Sequence, residues 1–180
     1  MLVSVANLTP VKDPVTLVQA AVYVRRALPE ATFLLVGEGR LRPSLEDRIK
    51  KEGLGDAVRL VGAQADVRPF LAAADIGVLT SRSEGASNSL LEYMAMGLPA
   101  VVSDIPGNHE MLDGVFFEPR NPKDLGDKIL ELWGDTGLRE RLGRDYRQRI
   151  AGYAPEALAR RAQGYYSKLA SEHLSVSARP

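Results

Sequence analysis

Cysteine is absent from the 180 residues of this chain, which excludes disulfides, thiol catalysis and thiolate metal sites and permits a reducing compartment. Histidine occurs only twice. A metal site would have to rest on oxygen ligands and those two rings, no cluster of ligands supports one, and no metal is expected. Net charge is missing as well, because 23 Lys and Arg stand against 23 Asp and Glu. No overall field exists to hold a polyanion, so nucleic acid is not expected as a partner. Long apolar runs are also lacking: the longest charge-free stretches, Met1 to Val11, Pro14 to Val24 and Tyr93 to Ser103, are eleven residues each. A bilayer span needs roughly 20. The opening MLVSVANL has neither a basic n-region nor a separate small-residue cleavage site, and reads as a β-strand, not a secretory leader. A cytoplasmic location is the expectation.

What is present is ordinary globular material, 45% hydrophobic and 26% charged, enough for one sizeable core and too little chain for two full domains. Short runs rich in Val, Leu and Ile recur at 2–7, 32–37, 58–62, 76–81, 99–103 and 115–118. Each is followed by a turn and a helical pattern. Leu17, Ala21, Val24 and Leu28 fall on one stripe of a helix from about Pro14 to Leu28, which Pro29 stops. Strands that are nearly continuous apolar runs alternating with helices predict an α/β fold, a doubly wound, Rossmann-type parallel sheet of about six strands. After the last strand the pattern becomes helical at 121–133, 136–152 and 155–170, with stripes Leu138, Leu142, Tyr146, Ile150 and Leu158, Ala162, Tyr165, Leu169. One domain over 1–173 and a frayed tail at 174–180 are expected.

Ligands of such a sheet bind at the carboxyl ends of the strands, so the loops there carry the functional information. The first loop places Lys12 at the mouth of the crevice, a cation suited to phosphate or an ordinary solvated lysine. The second contains Gly37 and Gly39, which allow a tight turn and close approach of a ligand to the backbone. A dinucleotide fingerprint would need a third glycine where Arg42 stands, on the first strand and not the second, which disfavours a nicotinamide or flavin enzyme. The loop after the fourth strand reads Ser81-Arg82-Ser83-Glu84-Gly85-Ala86-Ser87-Asn88-Ser89-Leu90-Leu91-Glu92, with a helix starting near Asn88. Free amides and the positive end of the helix dipole make that entrance an anion site, and Gly85 to Ser87 let a substituent come close. Glu84 and Glu92 border the same pocket, where carboxylates would accept hydrogen bonds from hydroxyls of a sugar or ribose. A plain helix cap by Ser87 or Asn88, with Glu92 on the surface, explains the same spacing. Paired carboxylates of a glycosidase need no phosphate cradle, so the small-residue entrance favours transfer over hydrolysis.

The segment SEGASNSLLEYMAMGLPAVVSDIPGNHE resembles the signature of retaining GT-B glycosyltransferases of the group 1 or family 4 type, with Glu84 and Glu92, which have seven residues between them, matching its paired glutamates. VANLTPVKD, FLLVGEGRLRPSLE and VRLVGAQADVRPFLAAADIGVLTS extend the resemblance over residues 2 to about 170. The resemblance implies a nucleoside diphosphate sugar as substrate, with no other cofactor. Glu84 would meet sugar hydroxyls and Glu92 the ribose. Amides of Ala86, Ser87, Asn88, Ser89 and Leu90 would hold sugar and diphosphate, and Lys12 would neutralise the leaving group. The base would lie near Gly62 and Ala63, beside a wall shaped by Gly37 and Gly39. Where the family has an arginine five residues before the lysine, this chain has Asn7. Losing a preorganised cation weakens stabilisation of the leaving group unless Arg40 or Arg82 replaces it.

The resemblance further implies half of a two-domain enzyme: the chain matches the carboxyl-terminal, donor-binding half, and the amino-terminal acceptor domain is expected to be absent from it. Turnover by this half alone is not expected. A nucleotide-sugar epimerase half and a non-catalytic nucleotide-binding module are the alternatives, and the donor base stays open among uridine, guanosine and adenosine. His109 reads as an exposed residue of the helix after the fifth strand or, less simply, as an acid or base. His173 falls in the tail and needs no function. Arg139, Arg141, Arg144, Arg147 and Arg149 give one helix an excess of positive charge, either a solvated face or a peripheral contact with the inner membrane surface.

Overall fold

The computed structural model describes residues 1–154 together with Glu156, Ala157, Ala159 and Gln163. The expected helix at 155–170 and the tail with His173 lie almost wholly outside the described residues. Six strands form: β1 Leu2–Val5, β2 Phe33–Val36, β3 Val58–Gly62, β4 Ile76–Leu79, β5 Ala100–Ser103 and β6 Val115–Phe117. All neighbours pair in parallel, in the order β3-β2-β1-β4-β5-β6. The helices are α1 Pro14–Ala27, α2 Arg42–Lys51, α3 Arg68–Ala72, α4 Asn88–Met96, α5 Pro106–Met111, α6 Pro122–Gly134 and α7 Thr136–Arg149. Right-handed crossovers in this strand order send the helices of the two halves to opposite faces. Accordingly α1 packs against α2 and α6, and α4 against α3 and α7. The doubly wound layer is therefore as expected.

Burial follows strand position. The central strands β4 and β5 are buried along their whole length, whereas edge strands β3 and β6 are half covered, which is why β3 can carry Arg59 within its apolar run. Leu142 and Tyr146 of α7 enter the core, with Leu138 and Ile150 packed against it. The helix ends at Arg149 and tightens into a 3-10 turn over Ile150–Tyr153, earlier than the expected end at 152. Asn121 and Asp135 cap α6 and α7, their side-chain oxygens accepting the amides of Asp124 at 3.0 Å and Leu138 at 2.8 Å.

The centre of the sheet opens in one place. β1 and β4 are in register only at Leu2 with Ile76 and Val3 with Gly77, after which the two strands part. The gap is closed by α4: the Tyr93 hydroxyl accepts the Val5 amide at 3.0 Å and donates to the Val78 carbonyl at 3.3 Å, while Ser89 Oγ donates to the Val5 carbonyl at 2.5 Å. Glycine at 77 makes this possible, because a Cβ there would sit 2.8 Å from the Tyr93 ring. Burial pushes the Tyr93 phenol well above its ordinary value, so it stays a neutral donor and acceptor. Tyr93→Phe strands the half-buried Val5 amide, at about 1 kcal/mol. A fall in Tm of at least a few degrees is expected by thermal unfolding; an unchanged Tm removes the bridging role.

Candidate functional site

Where β1 and β4 diverge, the carboxyl ends of β1 and β2 and the entrance of α4 enclose an open crevice of about 390 Å³. This is the topological switch point at which sheets of this winding bind ligands. Of the residues singled out from the sequence, Asn7, Lys12, Gly37, Ala63, Glu84, Ala86, Ser87, Asn88, Ser89 and Glu92 line it. Val5, Ala6, Val36, Gln64 and Val67 line it too and were not anticipated. They supply the apolar wall and one amide, at strand ends whose positions alone pointed to them.

Lys12 and Glu84 meet across the mouth. Nζ donates to Glu84 Oε1 at 2.5 Å, with the lysine side chain 27% and the glutamate 8% exposed. Sequence reasoning brought both to the crevice but did not foresee that they pair. The lysine loop is clamped by the loop after β4: Thr80 Oγ1 donates to the Lys12 carbonyl at 2.7 Å, and the Arg82 amide to the Val11 carbonyl at 2.8 Å. Arg82 itself turns away from the crevice to the buried Asp13, Nη2 to Oδ1 at 3.1 Å, and Asp13 also accepts from Thr16 Oγ1. The expectation that Arg82 or Arg40 stands in for the missing arginine is thus corrected: Arg82 is held by Asp13, Arg40 is exposed, and neither lines the crevice. Among the described residues, Lys12 is the only cationic side chain that does.

The entrance of α4 is open. Ser87 stands at the cap position with an extended backbone, yet its side chain makes no capping bond, and its buried Oγ has no partner. Its amide donates to the Met111 sulfur at 3.1 Å, a weak acceptor. Among the described residues, no protein acceptor meets the amides of Asn88, Ser89 and Leu90. The cap reading of this spacing therefore fails: three unpartnered donors stand at the positive end of the dipole, those of Asn88 and Ser89 on residues that line the crevice beside Lys12 and that of Leu90 behind them. Glu92, one turn further in, borders the same space, and burial pushes its carboxyl above the ordinary carboxylate range. A donor hydroxyl would relieve that desolvation.

Four predicted residues do not line the crevice. Leu90 is fully buried and offers only its amide. Gly39 is glycine for packing: a Cβ would lie 2.5 Å from the Leu8 carbonyl oxygen. Gly62, at φ 86°, ends β3 against Gly37 and Glu38. Gly85 faces open space. Gly37 does line it, but is required in any case, since a Cβ there would meet the Ala6 carbonyl oxygen at 2.0 Å.

His109 does not line the crevice. It stacks on Phe116 at 3.9 Å with its Nε2 2.6 Å from Asp104 Oδ1, half exposed. The basic face of α7 is largely engaged within the protein. Arg139 bonds the carbonyls of Leu132 and Trp133 at the end of α6, Arg147 that of Met96, and Arg149 pairs with Asp113. Among the described residues no group of three His, Asp or Glu side chains is placed to hold a metal ion, and no helix is long and apolar enough to cross a membrane.

Comparison with known proteins gives a consistent picture. The profile of the family described as "Glycosyl transferases group 1" matches residues 1–135. A Campylobacter jejuni N,N'-diacetylbacillosaminyl-diphospho-undecaprenol α-1,3-N-acetylgalactosaminyltransferase is 34% identical over 145 residues, 78% of this chain and 38% of that protein. The Escherichia coli UDP-Gal:α-D-GlcNAc-diphosphoundecaprenol α-1,3-galactosyltransferase is 33% identical over 141 residues, 74% of this chain and 36% of that protein. Among solved structures, an S. aureus TarM variant crystallised with fondaparinux, α-GlcNAc-glycerol and UDP superposes with a TM-score of 0.83 at 26% identity, over 91% of this chain and 34% of TarM. This chain thus spans little more than a third of the length of the relatives it matches.

Proposed function

Given that this chain belongs to the group 1 glycosyl transferases, we propose that it is the part of such an enzyme that binds a nucleoside diphosphate sugar and passes the sugar, with retention, to an acceptor held by residues outside this chain. The observation that carries the reading is one arrangement: three unpartnered amides opening α4, flanked by Lys12 and by two carboxylates, at the switch point of the sheet. The amides and Lys12 take the diphosphate. Glu84 accepts hydroxyls of the sugar and Glu92 those of the ribose, while the apolar strand ends and Gln64 border the base. UDP is the nucleotide we favour, because the E. coli relative is named for UDP-Gal and TarM was crystallised with UDP.

In transfer, the bond between the anomeric carbon and the phosphate oxygen breaks, its electron pair departs with the diphosphate, and the acceptor hydroxyl attacks on the same face, its proton passing to the departing phosphate oxygen. Charge builds on the diphosphate, where preorganised donors act most strongly. Lys12 and the end of α4 are the groups placed to receive it, and no metal is needed in this scheme. The C. jejuni and E. coli relatives are named for acceptors linked to undecaprenyl diphosphate; an acceptor of that lipid-linked kind, met at the inner membrane face by a cytoplasmic enzyme, is part of the proposal.

The test is titration of this chain with UDP, GDP and ADP, followed by amide NMR and calorimetry. One diphosphate is expected to bind and to shift the amide resonances of Asn88, Ser89 and Leu90 most. If millimolar nucleotide of every base leaves those amides unmoved, the reading is lost. An epimerase half would differ further by converting the donor sugar without an acceptor.

A further inference from the structure

Glu84 is held from behind by a buried polar chain that the reaction scheme leaves unused. Ser81 Oγ donates to Glu84 Oε1 at 2.6 Å, the same oxygen that Lys12 contacts. Ser103 Oγ donates to the Ser81 carbonyl at 2.5 Å. Asn108 Nδ2 in turn donates to the Ser103 carbonyl at 2.8 Å and to Ser103 Oγ at 3.2 Å. Ser81, Ser103 and Asn108 are each fully buried. The chain runs from α5, through the end of β5, to the loop after β4, and it ends on the carboxylate. α5 touches that loop at two further points. A Cβ on Gly107 would lie 2.3 Å from the Glu84 carbonyl oxygen, and Met111 takes the Ser87 amide.

Burying polar groups costs free energy unless they are hydrogen-bonded, and a hydrogen-bonded buried network rigidifies the groups that it joins. Lys12 alone does not explain how Glu84 keeps its position, because the lysine is a flexible, partly exposed cation and a bound diphosphate competes for it. Among the described residues the Ser81 hydroxyl donates to no other acceptor. Among the described residues nothing donates to Oε2 of Glu84, so that oxygen is free for a ligand hydroxyl while Oε1 is anchored.

We propose that Ser81, backed by Ser103 and Asn108, is a positioning residue that fixes the Glu84 carboxylate for the donor sugar and keeps it there when Lys12 is drawn to the diphosphate. The proposal rests on the reading of Glu84 as a sugar contact. Its signature is selective: the chain acts on recognition of the sugar, not on that of the nucleotide, which lies against α4 and the strand ends.

The experiment compares UDP with UDP-glucose, UDP-galactose and UDP-N-acetylglucosamine by calorimetry on the chain itself. The quantity read is the ratio of the best UDP-sugar affinity to that of UDP. Ser81→Ala, which removes a single oxygen, is expected to lower that ratio roughly fivefold to tenfold, the size of one ordinary hydrogen bond. Ser81→Thr, which retains the hydroxyl, should recover most of it, and Ser103→Ala should lower it less than Ser81→Ala. An unchanged ratio in a folded Ser81→Ala chain overturns the proposal, as does a parallel loss of both affinities, the mark of a general structural defect. If the native chain holds no UDP-sugar better than UDP, the sugar role of Glu84 falls first and this inference with it, an outcome told apart by its appearing before any substitution.

Discussion

Glu84→Ala is expected to abolish sugar transfer by the complete enzyme, a loss of at least about 10²–10³-fold in rate, while the nucleoside diphosphate still binds. The carboxylate is part of no helix or strand. Its protein partners are Lys12, which is 27% exposed and can turn to water, and the Ser81 hydroxyl. Stability should fall by only about 1 kcal/mol, the penalty of one stranded hydroxyl. Removing the glutamate also releases Lys12 from its ion pair, so affinity for the bare diphosphate should hold or rise. The affinity for the nucleotide sugar should drop to that of the diphosphate, since the hydroxyl acceptor is gone. Steady-state rates with acceptor, together with calorimetry on both ligands, check this pattern. A folded variant with near-native rates would take Glu84 out of the site; a large loss of diphosphate affinity would mean that it shapes the crevice and does not read the sugar.

The architecture was readable because central parallel strands, covered on both faces, must be continuous apolar runs, and the six runs found are the six strands. Their expected carboxyl ends lie one or two residues too late at β1, β2, β4 and β6. Apolar character persists through Ala6 and into Thr80, but β1 and β4 separate there and the ladder gives way to side chains of α4. Periodicity had no means of finding α3, which is five residues long. The departure of β1 from β4 depends on Tyr93 and Gly77, a contact across 16 positions that neither residue announces by itself.

The site divides in a similar way. Residues that stand out by type and local spacing, Lys12, Glu84, Glu92 and those of the α4 entrance, lie together at the crevice. What depends on long-range placement does not stand out in that way. Whether Ser87 caps α4 is decided by its rotamer and by Met111, 24 residues away, and the answer is that it does not. Glycines are ambiguous for a related reason: Gly39 relieves a clash with Leu8 and not with a ligand. Ser81, Ser103 and Asn108 are of types that usually face water, and only a fully buried setting turns them into a chain behind Glu84. Arg82 failed as a replacement cation because Asp13, buried and charged, needs it more.

Lys12→Met is the second large effect expected, a loss of roughly a hundredfold in affinity for the nucleoside diphosphate that the native chain prefers. Two contributions add. The diphosphate loses the only cationic side chain that, among the described residues, lines the crevice, and a charge-assisted contact in a partly dry site is worth about 2–5 kcal/mol when one partner is removed. Glu84, 8% exposed, also loses its counter-charge and then repels the incoming anion. The second contribution is separable. In Lys12→Met/Glu84→Gln the repulsion is gone, so this double variant should bind the diphosphate more tightly than Lys12→Met alone. Asn7 lines the same wall, and the resemblance places an arginine there. Asn7→Arg added to Lys12→Met should therefore restore part of the affinity, because it returns a cation to the crevice from the neighbouring loop position. Calorimetry on the folded chain measures all four proteins. Binding by Lys12→Met within threefold of native would mean that the amides of Asn88, Ser89 and Leu90 hold the diphosphate unaided, and that the lysine serves Glu84 alone.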